Sequence, residues 1–121
     1  MIKSDFVEMM TKRTKVLALD IIKLVANFPS KTEYFVIGKQ LLKSATSVAA
    51  NYRAVNRARS QKEFYAKLSI VVEECDETLF WIEILEESGM IKEKEISSIK
   101  NETLELLKIL SKSRKNAKRN N

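Results

Sequence analysis

The sequence predicts an all-α protein, an antiparallel up-down-up-down four-helix bundle, and three observations carry that expectation. Two glycines and one proline in 121 residues leave few of the residues that the many turns of an all-β fold require. Apolar side chains recur at alternating steps of four and three through four successive segments, the pattern of helices packed along one stripe. Helix start and stop residues fall where that stripe changes phase. Hydrophobic residues at 45% and charged residues at 31% suit a globular chain, and the length suits one domain spanning residues 1–121.

The first stripe runs Met10, Thr14, Leu17, Ile21, Leu24, Phe28 and stops at Pro29, predicting a helix over 5–28. The second runs Tyr34, then Gly38 or Ile37, then Leu41, Ala45, Val48, Tyr52, Val55, within a helix over 33–57. The third runs Phe64, Leu68, Val71, Cys75, Thr78, Ile82, Leu85, over 61–88, and the fourth Ile96, Ile99, Thr103, Leu106, Leu110, over 93–116. Ser30-Lys31-Thr32-Glu33 and Ser60-Gln61-Lys62-Glu63 both match the capping box, in which hydroxyl and carboxylate satisfy orphan backbone N–H groups. Gly89 is placed to close the third helix in the left-handed conformation. The carboxylates preceding it oppose the macrodipole, so another group must hold that end. Residues 111–121 read as a candidate basic tail, flexible beyond the bundle.

The third helix carries more apolar surface than one stripe needs. Ile70, Val72, Leu79, Phe80, Trp81 and Ile84 surround its core positions. A helix apolar over most of its circumference is covered on several sides, which predicts a subunit interface through Ile70, Phe80, Trp81 and Ile84. The alternative is a thick core with Trp81 at its edge.

Several function classes fall away. The chain has no histidine and a single cysteine, Cys75, which excludes an internal disulfide and most imidazole or thiol catalysis. Lys3, Asp5 and Glu8 stand where a signal peptide would be apolar, and no apolar run approaches a membrane span. The expectation is a cytoplasmic protein with no membrane segment. Glu73, Glu74, Asp76 and Glu77 include helical i, i+3 and i, i+4 pairs, but di-iron bundles need Glu-x-x-His, so a solvated or ion-paired face is expected and no metal or cofactor. No Gly-rich phosphate loop or nucleophile elbow is present, and no enzyme is expected.

Charge is segregated within the net +6. Residues 34–59 hold Lys39, Lys43, Arg53, Arg57 and Arg59 with no acid, +5; residues 60–91 balance to −6; residues 92–121 to +5. After Glu105 every charge is positive. Arg53 and Arg57, one helical turn apart, with Arg59 and Lys62 form a candidate phosphate-binding cluster for RNA or DNA, assisted by Lys115, Lys118 and Arg119. The competing reading is internal: in a hairpin turning near Ala58, Lys43 lies level with the acids Glu73 to Glu77 and Lys39 a turn further on, and both pair with the acidic third helix. No RNA-binding aromatic motif, GXXG loop or zinc knuckle accompanies the basic residues. A protein-interaction scaffold with no nucleic-acid role is the rival function.

Arg13-Thr14-Lys15, Ile37-Gly38-Lys39-Gln40-Leu41-Leu42-Lys43-Ser44, Thr46-Ser47-Val48-Ala49-Ala50-Asn51-Tyr52-Arg53 and Arg57-Ala58-Arg59-Ser60, followed by Phe64, Lys67, Ile70, Glu74, Asp76-Glu77 and Trp81-Ile82-Glu83, resemble a known family over roughly residues 13–91. This is the bacterial four helix bundle protein family, also called the 23S rRNA intervening-sequence protein family. Many members read Ile-Pro-Ala-Asn-Ile-Ala-Glu-Gly where this chain has Val48-Ala49-Ala50-Asn51-Tyr52-Arg53-Ala54-Val55, so a less kinked second helix is expected. The resemblance implies an antiparallel bundle assembled as a homopentamer. Some family genes lie inside intervening sequences of ribosomal RNA genes, which is a location and not an activity. A related protein, the accessory variability determinant of diversity-generating retroelements, is a basic pentamer that engages nucleic acid and a reverse transcriptase.

Overall fold

The computed structural model describes residues 3–119, and side chains over 4–118. Four helices follow one another: α1 (Lys3–Ala26), α2 (Thr32–Val55), α3 (Gln61–Glu87) and α4 (Glu93–Arg119). Each boundary lies within three residues of its expected position. No strand occurs among the described residues.

Each helix packs on its chain neighbour, α4 closes more sparsely onto α1, and the backbones of the diagonal pairs α1–α3 and α2–α4 stay more than 8 Å apart among the described residues. The direction of the helices is legible from contacts. Gln61 meets Ala117, Cys75 meets Thr103, and Glu86 meets Lys100, so α3 and α4 run antiparallel. Arg13 on α1 reaches Glu102 and Glu105 on α4.

The predicted stripes meet in the centre. Met10, Leu17, Ile21, Leu41, Val48, Val55, Leu68, Ile82, Leu85, Ile96, Leu106 and Leu110 are all essentially inaccessible to solvent. The polar members of the stripes are buried too, without cost in lost hydrogen bonds. Thr14, Thr78 and Thr103 donate to the carbonyls of Met10, Glu74 and Ile99 at 2.8–2.9 Å, one turn back. At the open choice in α2 it is Gly38 that faces the core. A Cβ there would lie 3.0 Å from Val25 Cγ1, so the missing side chain sets how closely α1 approaches α2. Without the proline of the commoner motif, α2 is one uninterrupted helix from Thr32 to Val55.

The two look-alike capping boxes differ. Ser60 is the N-cap of α3, its Oγ accepting from Glu63 N at 3.1 Å, while the Glu63 carboxylate turns to Lys67 and Arg59. At α2 the cap position is Lys31, one residue after Ser30, with no side-chain cap bond. Gly89 has φ 78° and closes α3 as expected, Gly89 N donating to Glu86 O and Ile91 N to Leu85 O. Residues 111–119, set aside from the sequence as a tail, are the last turns of α4. Ala117 is buried there and accepts a hydrogen bond from Gln61 Nε2 at 3.3 Å. Residues 120 and 121 lie outside the described chain.

Candidate nucleic-acid interface

The turn between α2 and α3 is tightly built. Arg57 N and Ala58 N donate to Ala54 O and Val55 O, and Asn56 Nδ2 donates to Tyr52 O at 3.0 Å. Half-buried Ala58 anchors the turn, which leaves Arg57 and Arg59 on its outside. Arg53, one turn earlier on α2, and Lys62, in the first turn of α3, are exposed as well.

The Gln61–Ala117 hydrogen bond then brings the end of α4 beside this turn. Lys115 and Lys118 are exposed next to it, and Arg119 ends the same helix, its side chain outside the described set. Two basic runs far apart in sequence therefore share one end of the bundle. The up-down order of the helices already places the α2–α3 turn and the end of α4 at one end, and the Gln61–Ala117 contact, which no sequence signal marks, sets how closely they approach. The start of α1 is here too, bringing the exposed acids Asp5 and Glu8. A cleft of about 800 Å³ between the turn and α1 is lined by Val7, Glu8, Val55, Arg59 and Phe64 among others.

Most of these cations have no ionic partner among the described residues. Arg59 Nε lies 4.0 Å from Glu63 with its side chain 91% exposed, a contact worth little in water. Arg53, Arg57, Lys62, Lys115 and Lys118 make no ion pair among the described residues. The internal pairing of Lys39 and Lys43 with the acids of α3 is not found there either. The inter-helix ion pairs lie elsewhere: Arg13 forks onto Glu102 at 2.6 and 3.0 Å and reaches Glu105 at 3.1 Å, and Lys100 holds Glu86. The carboxylates facing Arg13 hold its guanidinium proton more firmly than usual.

On α3 the apolar surplus divides. Val72 and Leu79 are buried in the chain's own core. Ile70 and Phe80 are 46% and 49% exposed, and Trp81 and Ile84 half-buried, along one outward stripe that also carries Glu73 and Glu77. Phe80 and Trp81 stack edge to face at 4.9 Å, and Trp81 Nε1 donates to Glu77 Oε1 at 3.4 Å. Among the described residues, no three carboxylate, thiol or imidazole groups gather to hold a metal, and no helix is long and apolar enough to cross a membrane.

The family model described as 23S rRNA-intervening sequence protein matches residues 9–112, most of all four helices. The chain belongs to that family. A crystal structure of a protein of unknown function from the S23 ribosomal protein family of Bacteroides thetaiotaomicron is 31% identical to it, with TM-score 0.83. The match covers 90% of this chain and 97% of that one, so the bundle is shared almost end to end. No curated protein matches. Within the family fold, this chain carries a basic end and, on α3, an outward stripe of apolar and acidic residues.

Proposed function

We propose that this family member is a non-enzymatic homo-oligomer of the cytoplasm that binds structured RNA or DNA through its basic end. One observation carries the reading: the turn cations and those of α4 converge on one end of the bundle, and most lack an ionic partner among the described residues.

Electrostatics of the fold itself does not account for all of them. Arg53, Arg57 and the α4 residues lie near helix C-termini, where the macrodipole favours cations. Arg59 and Lys62 flank the N-cap of α3, where it disfavours them, so an external anion is the better explanation of their presence. Arg guanidinium pairs bidentately with phosphate, and neutralised phosphates release counterions, giving salt-sensitive affinity with little sequence preference. Assembly through the stripe of Ile70, Phe80, Trp81 and Ile84, as a ring of five if the resemblance extends to stoichiometry, multiplies a weak patch by raising effective concentration.

The test is binding of a structured RNA hairpin across a salt series. Affinity falls steeply with salt, and Arg57→Glu with Arg59→Glu weakens it by about tenfold or more at fixed salt. An affinity flat with salt, or indifferent to the double substitution, sinks the reading. Partners captured from nuclease-treated lysate as efficiently as from untreated lysate would instead favour the protein scaffold.

A further inference from the structure

We infer that copies of this chain join head to tail, the α2 face of one docking on the α3 face of the next, with Lys39 and Lys43 against Glu73 and Glu77 and Phe35 against Trp81. The inference rests on the self-association proposed above and names its surfaces.

The two faces are complementary in both charge and apolarity. The outward stripe of α2 carries Phe35, Val36, Lys39 and Lys43, with Phe35 71% exposed and Val36 49%. The outward stripe of α3 carries Ile70, Glu73, Glu77, Phe80, Trp81 and Ile84. Within one chain no ion pair joins these lysines to these glutamates among the described residues. Both faces are left with unmatched charge beside exposed aromatic rings.

Their heights along the bundle also match. The hairpin turns at Ala58, so residues equally distant from it in sequence lie close to the same level. Lys43 is level with Glu73, Lys39 with Glu77, Val36 with Phe80, and Phe35 with Trp81. Copies related by rotation about an axis parallel to the bundle keep their levels. The α2 face of one then meets the α3 face of the next with both lysine–glutamate pairs, Val36 with Phe80, and Phe35 with Trp81 in register. A groove of about 640 Å³ lined by Phe28, Tyr34, Phe35, Lys39 and Leu42 is open at that height to receive the neighbour's Trp81.

Other pairings fit less well. Packing α3 on α3 about a two-fold axis brings Glu73 and Glu77 against like charges, which is unfavourable. The stripe of α1 that bears Lys15, Val16, Leu19 and Ile22 is also basic and apolar, but α1 lies diagonally across the bundle from α3. Joining opposite sides generates an open fibre, whereas joining the adjacent α2 and α3 sides turns each copy relative to the last and closes a ring. That closure also collects the basic end of every copy on one rim.

Light scattering of the full chain at micromolar concentration tests the docking. The unsubstituted chain runs as a multimer; Lys39→Glu with Lys43→Glu, or Glu73→Lys with Glu77→Lys, weakens association about tenfold or more and shifts the mass toward one subunit. Combining all four substitutions in one chain restores the multimer, because each interface again joins opposite charges. A monomeric unsubstituted chain, a mass indifferent to the α2 swap, or a helical fourfold variant that fails to reassociate overturns the inference, as does a mass that collapses only with Leu19→Glu. Trp81, the sole tryptophan, gives a readout that needs no substitution. Its emission moves to the red as the multimer is diluted apart, and an emission unchanged by dissociation also overturns the assignment. Hairpin binding measured on the same samples separates the outcomes, since none of these substitutions removes a proposed phosphate contact.

Discussion

Lys100 Nζ on α4 donates to Glu86 Oε1 on α3 at 2.6 Å, supplying from a neighbouring helix the cation that the last turn of α3 lacks. Glu83, Glu86 and Glu87 crowd that turn, where the macrodipole is already negative. Its hydrogen bond to Glu86 raises the Lys100 ammonium above the ordinary lysine range; loss of hydration opposes this, and the fields of Glu86, Glu83 and Glu87 add to the rise. Tyr34 Oη on α2 donates to Met90 O at 2.7 Å just beyond, so three helices meet at this corner.

Lys100→Met should therefore lower the melting temperature and speed amide exchange over residues 88–91, while Lys100→Arg retains most of the difference. Because the folded pKa is raised, the contribution is complete below about 10.5 and is lost as pH climbs through the higher folded value. Melting curves of the two chains should converge on the alkaline side. A gap that stays constant with pH removes Lys100 from the role.

Gly38 reverses an ordinary rule. Glycine to alanine inside a solvent-facing helix gains roughly 1 kcal/mol. At Gly38 the new methyl lies 3.0 Å from Val25 Cγ1 and 3.3 Å from Phe28 Cδ2, in the α1–α2 seam. Gly38→Ala should destabilise by about 1 kcal/mol in urea unfolding, and Gly38→Leu by more. A stabilised alanine variant would mean that α1 yields freely.

The helices and their core faces were legible because one period runs through each of them; even Thr14, Thr78 and Thr103 sit where the stripes put them. The candidate site was half legible. Composition exposes the cations and the up-down order puts both runs at one end, but how closely they approach depends on Gln61 reaching Ala117 on the neighbouring helix, a contact with no local signal. The reading of residues 111–121 as a tail failed for a related reason: its charges suggest solvent, whereas Ala117 packs inward. On α3, hydrophobicity alone did not separate Val72 and Leu79, buried in the core, from Ile70 and Phe80, turned outward. Only their angle about the axis does.

Cys75 should be inert in the native chain. Its thiol is fully inaccessible, burial first and then Asp76 push it up to about 12, and Sγ points to Thr103 O at 3.7 Å. Labelling by a thiol reagent near pH 8 should be slower than in urea by about a thousandfold or more, its rate following global unfolding. The unfolded chain sheds this proton first, so stability falls as pH rises above about 9. Cys75→Ala should flatten that part of the profile. Rapid labelling of the folded protein would show that the α3–α4 seam opens locally.

Ser30 and Ser60 give the sharpest comparison, because the sequence treats them alike. Each is followed three residues later by glutamate, yet Ser60 Oγ alone caps its helix, accepting from Glu63 N, while Lys31 occupies the cap of α2. Ser60→Ala should cost about 1 kcal/mol. Ser30→Ala should stay within about 0.5 kcal/mol, as for an exposed substitution that breaks no cap. The loss at Ser60 should also loosen the turn that carries Arg57 and Arg59, so amide exchange at Glu63 rises there and not at Glu33. Equal costs at the two serines would mean that the backbone of α2 draws on Ser30 after all, and that the position of the cap, one residue further on, does not decide the matter.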